Sequence, residues 1–303
     1  MIDISKLFDP YSRQARLFPG LLTLFPIILT AIAWFPRLVT SSWGAALVTI
    51  ATSCGLLYGL SVLSRSRGKK VEKRLLAEWG GWPSTIWLRH REEHLPPPVL
   101  ARYHTFFAKN VPLFVTPSPE QEKTDPKVAD AMYASGVKWL QERCRGKAYP
   151  LVEKENAEYG FRRNLRGLKP IGVATCLTAL LISVLMVVWR YDNIIPAVYS
   201  FSMSAFLAAL AAIKPAAIGA ICVDLVALTA WFTVVRDDWV RDVGDQFARA
   251  LLACCDTLEV PAAAQPAAAS SAKHTRRAST PTGKSGPGRL ARNARNHDLR
   301  REE

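Results

Sequence analysis

The stretch that decides the fold is IGVATCLTALLISVLMVVW, residues 171–189, which follows Lys169-Pro170 and is closed by Arg190. These 19 residues carry no charge. A helix needs about 20 apolar residues to cross the hydrocarbon core of a bilayer, so this stretch predicts a membrane-spanning helix.

The N-terminal part of the chain repeats this pattern twice. Leu17 to Pro36 contains no charged residue over 20 positions, and Leu38 to Ser64 contains none over 27. The connection between the two runs is short and carries Trp34 and Trp43, the kind of residue that prefers the membrane interface. Residues 17–64 are therefore predicted to form a hairpin of two spans.

The apolar region after Arg190 has two interpretations. Asn193 to Ile213 and Pro215 to Val235 are each about one span long, and only Lys214 separates them. Either the first stretch is interfacial or extracytoplasmic and a single span follows near Ala216 to Val235, or both stretches cross. The region 171–235 thus holds two spans, or three in the second interpretation.

The distribution of charge predicts the orientation. The formal net charge is +14 overall, and it divides into +2 for residues 1–64, +9 for 65–170, −3 for 171–259 and +6 for 260–303. Because basic residues accumulate on the cytoplasmic side of membrane proteins, the middle region 65–170 and the N-terminal residues 1–16 are predicted to be cytoplasmic. Four spans also place the C-terminal tail and its nine basic residues in the cytoplasm, so we favour four spans over five.

The middle region is predicted to be a small helical domain. We expect a basic helix over 68–78 that stops at Gly80-Gly81, and a helix capped by Ser84 or Thr85 that continues to Pro96. Further helices are expected over 98–110, after the Asp125-Pro126 cap, and over 150–166. Residues 236–259 are taken as a cytoplasmic helix, and the low-complexity basic tail 260–303 as disordered. The fold class is therefore all-α, a multi-pass membrane protein built from two helical hairpins.

Polar residues within the last apolar stretch mark a candidate intramembrane site. Asp224 lies near the centre of that span, where an acid costs ~2.5 to 3.5 kcal/mol on insertion scales. It is either an element of a pore or proton path, or a structural contact with Ser, Thr or backbone groups of another helix. Lys214 is expected at the interface. The ladder Ala208, Ala212, Ala216 and Ala220 is compatible with homo-oligomers, although Pro215 interrupts it.

His90-Arg-Glu-Glu-His94 matches the H-x-x-E-H pattern of inverted zinc peptidases. In such a site His90 and His94 would bind the metal, Glu93 would activate water, and a distant carboxylate such as Glu153, Glu155 or Glu158 would complete the ligands. The alternative is an exposed polar helix face. We favour the alternative, because no second metal-binding segment accompanies the run.

The basic residues beside the spans are predicted to face anionic lipid headgroups, which attract Lys and Arg by ~1 kcal/mol each. They are Lys69, Lys70, Lys73, Arg74, Arg162, Arg163, Arg166 and Lys169. Nucleic-acid binding is not expected, since no aromatic residues are interleaved with the basic tail. No cofactor is expected either, because the chain has no phosphate-binding loop, nucleophile elbow or dinucleotide fingerprint.

Three groups of motifs carry a resemblance to a known family. They are Phe8-Asp-Pro-Tyr11, the Trp79-Gly-Gly-x-Pro-x-Thr85 turn with Leu88-Arg-His-Arg91, and Tyr159-Gly-Phe-Arg-Arg-Asn-Leu165 with Gly167-Leu-Lys-Pro170. Over residues 1 to about 255 the chain resembles a group of uncharacterised bacterial four-span membrane proteins. The resemblance implies a bacterial inner membrane and no particular reaction.

These features leave three functional hypotheses. The first, which we favour, is a non-enzymatic membrane protein whose cytoplasmic domain binds a protein partner and the lipid surface, as an anchor or scaffold. The second is a channel or pore-forming effector gated by that domain, suggested by Asp224. The third is a membrane zinc hydrolase that uses His90, Glu93 and His94.

Overall fold

The computed structural model describes residues 9–42, 44–46, 55–200 and 202–258, and these residues form helices and connecting turns without any strand. Twelve α-helices with defined bounds organise this part of the chain, and residues 42 and 44–46 are also helical. The twelve helices are α1 (Pro10–Trp34), α2 (Pro36–Thr40), α3 (Leu56–Trp79), α4 (Pro83–Ile86), α5 (Pro97–Asn110), α6 (Pro119–Thr124), α7 (Pro126–Arg143), α8 (Pro150–Arg190), α9 (Ile194–Tyr199), α10 (Met203–Ala211), α11 (Pro215–Thr233) and α12 (Asp237–Leu252). The predicted all-α fold class is confirmed for these residues.

Three of these helices, α1, α8 and α11, are long and apolar enough to cross a membrane. Their outward faces carry large apolar side chains that are exposed, as expected of lipid-facing surfaces. On α8 these exposed residues are Leu177, Leu181, Val184, Leu185, Val188 and Trp189. These three apolar helices fit a membrane-embedded protein.

The second predicted span, Leu38 to Ser64, is only partly covered. Residues 47–54, including Cys54, lie outside the described residues. The final part of this stretch opens α3, whose exposed residues Leu56, Tyr58, Val62 and Leu63 are apolar and give way to Arg65 and Arg67. Residues 1–8 and the tail from 259 onward, with the predicted cytoplasmic start and disordered end, also lie outside.

The ambiguous stretch between Asn193 and Ile213 forms two short helices, α9 and α10. Neither is long enough to cross a bilayer. The residues that flank this stretch are in contact, because the backbone amide of Lys214 donates a hydrogen bond to the Tyr191 hydroxyl at 3.1 Å. Tyr191, Ile194 and Ile213 also belong to one apolar cluster around Trp34.

Apart from the apolar part of the three candidate spans, α4 to α7, the first turn of α8 and the end of α12 from Phe247 enclose the largest apolar core. We call this unit the cap. Its fully buried members include Leu88, Phe107, Tyr133, Leu140 and Leu251. The last of these lies on α12, so the segment assigned above to a separate helix at 236–259 contributes to the same core as the middle region.

Several predicted helix boundaries are confirmed. The basic helix α3 ends at Trp79 and Gly80 caps it with a φ of 79°, a conformation that suits glycine. Asp125 caps α7 by accepting a hydrogen bond from the Val128 amide. The helix expected over 150–166 runs on through Pro170 as one 41-residue helix, α8.

The helix predicted from Ser84 to Pro96 is wrong. Only the single turn α4 is helical, and Trp82 stands at its N-cap without a side-chain hydrogen bond. The chain turns away because Arg89, buried to 4% exposure, donates to the Gly80 carbonyl and to Asp130. These contacts and the packing of Ile86 to Leu88 in the core outweigh the local helical pattern.

Candidate functional site

The intramembrane site predicted around Asp224 lies at the contact between α11 and α1. Asp224 is fully buried, and its Oδ2 accepts a hydrogen bond from the Thr30 hydroxyl at 2.8 Å. Its Oδ1 has no hydrogen-bond partner among the described residues. The carboxyl group therefore joins two spans through one oxygen and leaves the other available.

A second polar contact joins the same helix α1 to α8. The indole nitrogen of Trp34 donates to the Ser183 hydroxyl at 3.0 Å, and both side chains are buried. Closer to the cap, the Thr175 hydroxyl donates to the carbonyl of Thr23 at 2.7 Å. These contacts satisfy polar groups away from water, which is how polar side chains are accommodated within a bilayer.

Lys214 is exposed at the start of α11, ten residues before Asp224. The four alanines of the predicted ladder differ in their burial. Ala220 is buried within the protein, whereas Ala208, Ala212 and Ala216 are exposed. The four alanines therefore do not share one contact surface.

Beside the cap, a buried ion pair and a buried hydrogen bond hold α1, α3 and α8 together. Arg163 on α8 pairs with Glu72 on α3 at 3.1 Å, and both side chains are less than 10% exposed. The neighbouring Asn164 donates to the Ala15 carbonyl of α1 at 2.6 Å. Removing one partner of such a buried pair leaves an uncompensated charge, so this layer fixes the mutual position of the three helices.

The link between α11 and α12 is held in the same region. Asp237, the first residue of α12, accepts hydrogen bonds from Arg74 and Arg166 at 2.8 and 2.9 Å. Burial on its own would raise the pKa of Asp237, but these two arginines hold it below its ordinary value. Lys169 donates to the Val235 carbonyl at 2.9 Å. We call these contacts, together with the Glu72–Arg163 layer, the junction.

The junction uses most of the basic residues that the sequence suggests for lipid binding. Six of the eight have protein partners, namely Lys69 and Arg163 with Glu72, Arg74 and Arg166 with Asp237, Arg162 with Glu158 and the Trp239 carbonyl, and Lys169 with the Val235 carbonyl. Lys70 and Lys73 are exposed on α3, and among the described residues their side chains have no ion pair or hydrogen bond.

The His90–His94 segment is a turn, so its two histidines are not one helical turn apart on a helix. His90 donates through Nε2 to the Pro117 carbonyl at 3.1 Å, while the His94 ring stacks on Trp87. Within the described part of the chain, no three His, Cys, Asp or Glu side chains are grouped so as to hold a metal ion. The arrangement does not assemble His90, Glu93 and His94 into a ligand set.

The same segment is held by a buried carboxylate that the sequence analysis did not identify. Glu122 is 1% exposed and accepts from the backbone amides of His90 and Arg91, from the Arg91 guanidinium and from the Tyr133 hydroxyl. Burial tends to raise the pKa of Glu122, but these donors lower it below its usual range. A Ser118-x-x-Gln121 capping box, visible in the sequence, positions Glu122 at this place.

His104 packs between His90 and Tyr133 in this network. Its Nε2 donates to the Leu88 carbonyl at 2.8 Å, and its ring stacks on Tyr133 with centroids 5.6 Å apart. Burial lowers the pKa of His104, so the imidazole is neutral at pH 7. His104, Tyr133 and Glu122 together hold the His90–His94 turn in place.

The cap has an apolar groove of about 440 Å³ between the end of the 111–118 loop and the helices α6 and α7. We call its apolar lining residues Val115, Pro117, Val128 and Met132 the floor, and its two exposed lining carboxylates, Glu120 and Asp125, the rim. Val115 and Val128 are 67% and 62% exposed, which is high for valine in a packed unit.

No protein-family model, curated protein or solved structure matches the chain. The likeness to four-span bacterial proteins therefore rests on the motifs quoted above. Residues of those motifs make contacts in the cap and the junction. Arg163 pairs with Glu72, and Asn164 donates to the Ala15 carbonyl. The backbone of Arg67 and Gly68 packs against Gly167.

Proposed function

We propose that the protein is a non-enzymatic anchor or scaffold of a bacterial inner membrane, with four spans and a cytoplasmic cap that binds a protein partner. The observation that carries this proposal is the junction. It fixes the cap on α1, α3, α8 and the α11–α12 link through the buried Glu72–Arg163 pair, the Asn164 hydrogen bond and the partly exposed ion pairs of Asp237, so a partner on the cap would be held at a defined place on the membrane.

We propose fewer lipid-binding residues than the sequence alone suggests. We assign headgroup contact to Lys70 and Lys73, because six of the eight predicted basic residues have protein partners. These two side chains continue the exposed apolar face of α3, which would place them at the level of the lipid phosphates. Each contact is worth ~1 kcal/mol with an anionic membrane.

The test is a crosslinked pull-down from native membranes with a tag at the C-terminus. Ala101→Glu with Thr105→Glu places two charges on the exposed face of α5, within residues 79–110, and Ala134→Glu on the exposed side of α7 is the matched control. We expect a defined partner from the wild type and from the control. Loss of that partner in the α5 variant would place it on α5, and retention would place it on another surface of the cap. Recovery of self-crosslinked chains alone would contradict the proposal.

A pore is the second candidate, and the unpaired Oδ1 of Asp224 favours it. Purified protein reconstituted in liposomes would then conduct ions, and Asp224→Asn would change the conductance because it removes the acid while the Thr30 contact can persist. Protein that conducts nothing, with Asp224→Asn indistinguishable from the wild type in cells, would eliminate this function.

A further inference from the structure

The loop before the groove of the cap exposes a leucine in an unfavourable backbone conformation. Val111 to Phe114 form a turn closed by a hydrogen bond of 3.2 Å from the Phe114 amide to the Val111 carbonyl. Pro112 occupies the second position, and Leu113 occupies the third with a φ of 60°. Turns with this geometry normally have glycine or asparagine at the third position, because a side chain is strained there.

The packing of the cap explains the turn but does not explain the leucine. Val111 and Phe114 are buried in the core, where Phe114 packs against Gly136, and this reversal forces the two residues between them, Pro112 and Leu113, outward. Leu113 is 93% exposed and buries almost nothing. A glycine would make the same turn without strain, so the leucine side chain itself calls for another explanation.

Leu113 leads directly into the groove lined by Val115, Val128 and Met132. Leu113, Val115 and Val128 are exposed apolar side chains, and the two charged residues that line the groove, Glu120 and Asp125, are both carboxylates. Glu120 is ionised, because hydrogen bonds from the backbone and from the Ser118 hydroxyl lower its pKa. Asp125 is the second rim carboxylate. An anionic membrane would be repelled by this rim, whereas a cationic segment would be attracted.

We propose that the groove binds an amphipathic segment of a partner protein, with apolar side chains on the floor and Lys or Arg at Glu120 and Asp125. Leu113 closes over the apolar face of that segment. This inference rests on the proposed function, and it assigns the docking surface and the chemistry of the partner. Helix-in-groove recognition of this type uses apolar anchors at i, i+3, i+4 and i+7.

The direct test uses the full chain in nanodiscs of zwitterionic lipid and a synthetic amphipathic peptide of leucine and lysine with one photoreactive leucine. An otherwise identical peptide with glutamate in place of lysine is the control. The chain carries a net charge of +14, so non-specific attraction would favour the glutamate peptide. We expect the lysine peptide to bind about tenfold more tightly and to crosslink to Val115 or Met132.

Three variants separate a docking role from a structural one. Leu113→Gly relieves the backbone strain, so its unfolding midpoint should stay or rise while peptide binding weakens about tenfold. Glu120→Gln with Asp125→Asn keeps the helix cap and should remove the preference for lysine. Ala134→Glu, outside the groove, should leave binding unchanged. Leu113→Gly with unchanged affinity, or no preference for the lysine peptide, would overturn the proposal.

The proposal can fail without the proposed function failing. A photoreactive residue in place of Val128 in native membranes should crosslink a partner peptide that has apolar residues beside Lys or Arg. Adducts to lipid, or to a second copy of this chain, would overturn the groove assignment. If Leu113→Gly leaves the pull-down partner bound, the protein is still an anchor but the partner occupies another surface.

Discussion

The hydrogen bond between Thr30 and Asp224 joins two spans through a residue that is costly in a bilayer. The unpaired Oδ1 means that one partner satisfies only half of the carboxyl group. We expect Thr30→Val to destabilise the protein by about 1–2 kcal/mol, because it leaves Asp224 buried with no donor. Asp224→Asn should change stability less, since the amide oxygen still accepts from Thr30.

A double-mutant cycle of Thr30→Val and Asp224→Ala in detergent checks the contact, because each of these substitutions removes it. Polar contacts between membrane helices couple by about 0.6 kcal/mol on average and up to about 1.7. Additive effects of the two substitutions would contradict the contact. The cycle measures stability alone, so it is independent of the conductance experiment.

His104 predicts how the stability of the cap depends on pH. Its pKa in the folded protein lies below the ordinary value of 6.5. Burial disfavours the imidazolium more strongly than the nearby Glu122 carboxylate favours it. Below pH 6.5 the unfolded chain binds a proton that the folded chain does not, so stability falls from there to the lowered pKa. We expect a lower unfolding midpoint at pH 5 than at pH 7.5.

The matched variants for this prediction are His104→Gln and His94→Gln. The first removes the buried imidazole and should flatten the change between pH 7.5 and pH 5. The second removes a half-exposed ring and should retain the slope of the wild type. An unchanged slope in His104→Gln would show that another group titrates in this window. Glu122 and Asp237 act only at lower pH, because their pKa values are depressed.

At the scale of elements, close helix crossings depend on glycines. A Cβ atom added at Gly167 on α8 would lie 2.5 Å from the backbone carbon of Arg67 on α3, and backbone cannot move aside cheaply. We expect Gly167→Ala to destabilise the protein by about 1–3 kcal/mol through overpacking. Thermal unfolding in detergent measures the difference.

Gly219 on α11 provides the control for that prediction. Nothing lies within 4 Å of a Cβ added there. Gly219→Ala should therefore stabilise the helix by about 0.5–1 kcal/mol, since alanine loses less backbone entropy on folding. If both alanine variants behaved alike, the crossing of α3 and α8 would be looser than described.

The sequence predicts elements well where a local signal is strong and poorly where distant contacts decide. Gly80, Asp125 and the uncharged run 171–189 act locally, and the corresponding boundaries and helices are found as expected. The helix expected through Trp87 and His90 fails, because Arg89 bonds to Asp130 and Glu122 bonds to the amides of His90 and Arg91. Each of these three contacts joins residues that are more than 30 positions apart in the sequence.

The candidate sites follow the same division. Asp224 is recognisable from sequence, because an acid within an apolar run is rare whatever its partner. Its partner Thr30 is 194 positions away, and no periodicity identifies it. The eight basic residues were recognisable as a group, but only the fold reveals that most of them pair with Glu72, Asp237 and backbone carbonyls. Leu113 is invisible to sequence patterns, because its significance lies in its backbone angle.

At the scale of the whole molecule, α8 makes the cap and the membrane helices one mechanical unit. A single helix of 41 residues passes from the cap core at Val152 to the end of the apolar stretch at Arg190. At 1.5 Å per residue it is about 60 Å long, roughly twice the hydrocarbon thickness. Displacement of the cap would therefore move the spans, which serves an anchor and a gated pore equally well.

The final prediction concerns how many times the chain crosses the membrane. The backbone amide of Lys214 contacts the Tyr191 hydroxyl, so the two ends of the segment between these residues lie close together. A helix that crossed the bilayer would separate its ends by about 30 Å. We therefore expect Asp192 and Lys214 on the same side of the membrane, opposite to the cap, in agreement with four spans and a cytoplasmic cap.

Single cysteines introduced into a variant without native cysteines decide between four and five spans. With a membrane-impermeant maleimide and intact spheroplasts, Asp192→Cys and Lys214→Cys should both be labelled, whereas Lys127→Cys on α7 should react only after permeabilisation. Five spans would leave Lys214→Cys protected beside Lys127→Cys. Labelling of Lys127→Cys in intact cells would reverse the orientation, and the basic residues around the junction would then lie on the side that the charge rule disfavours.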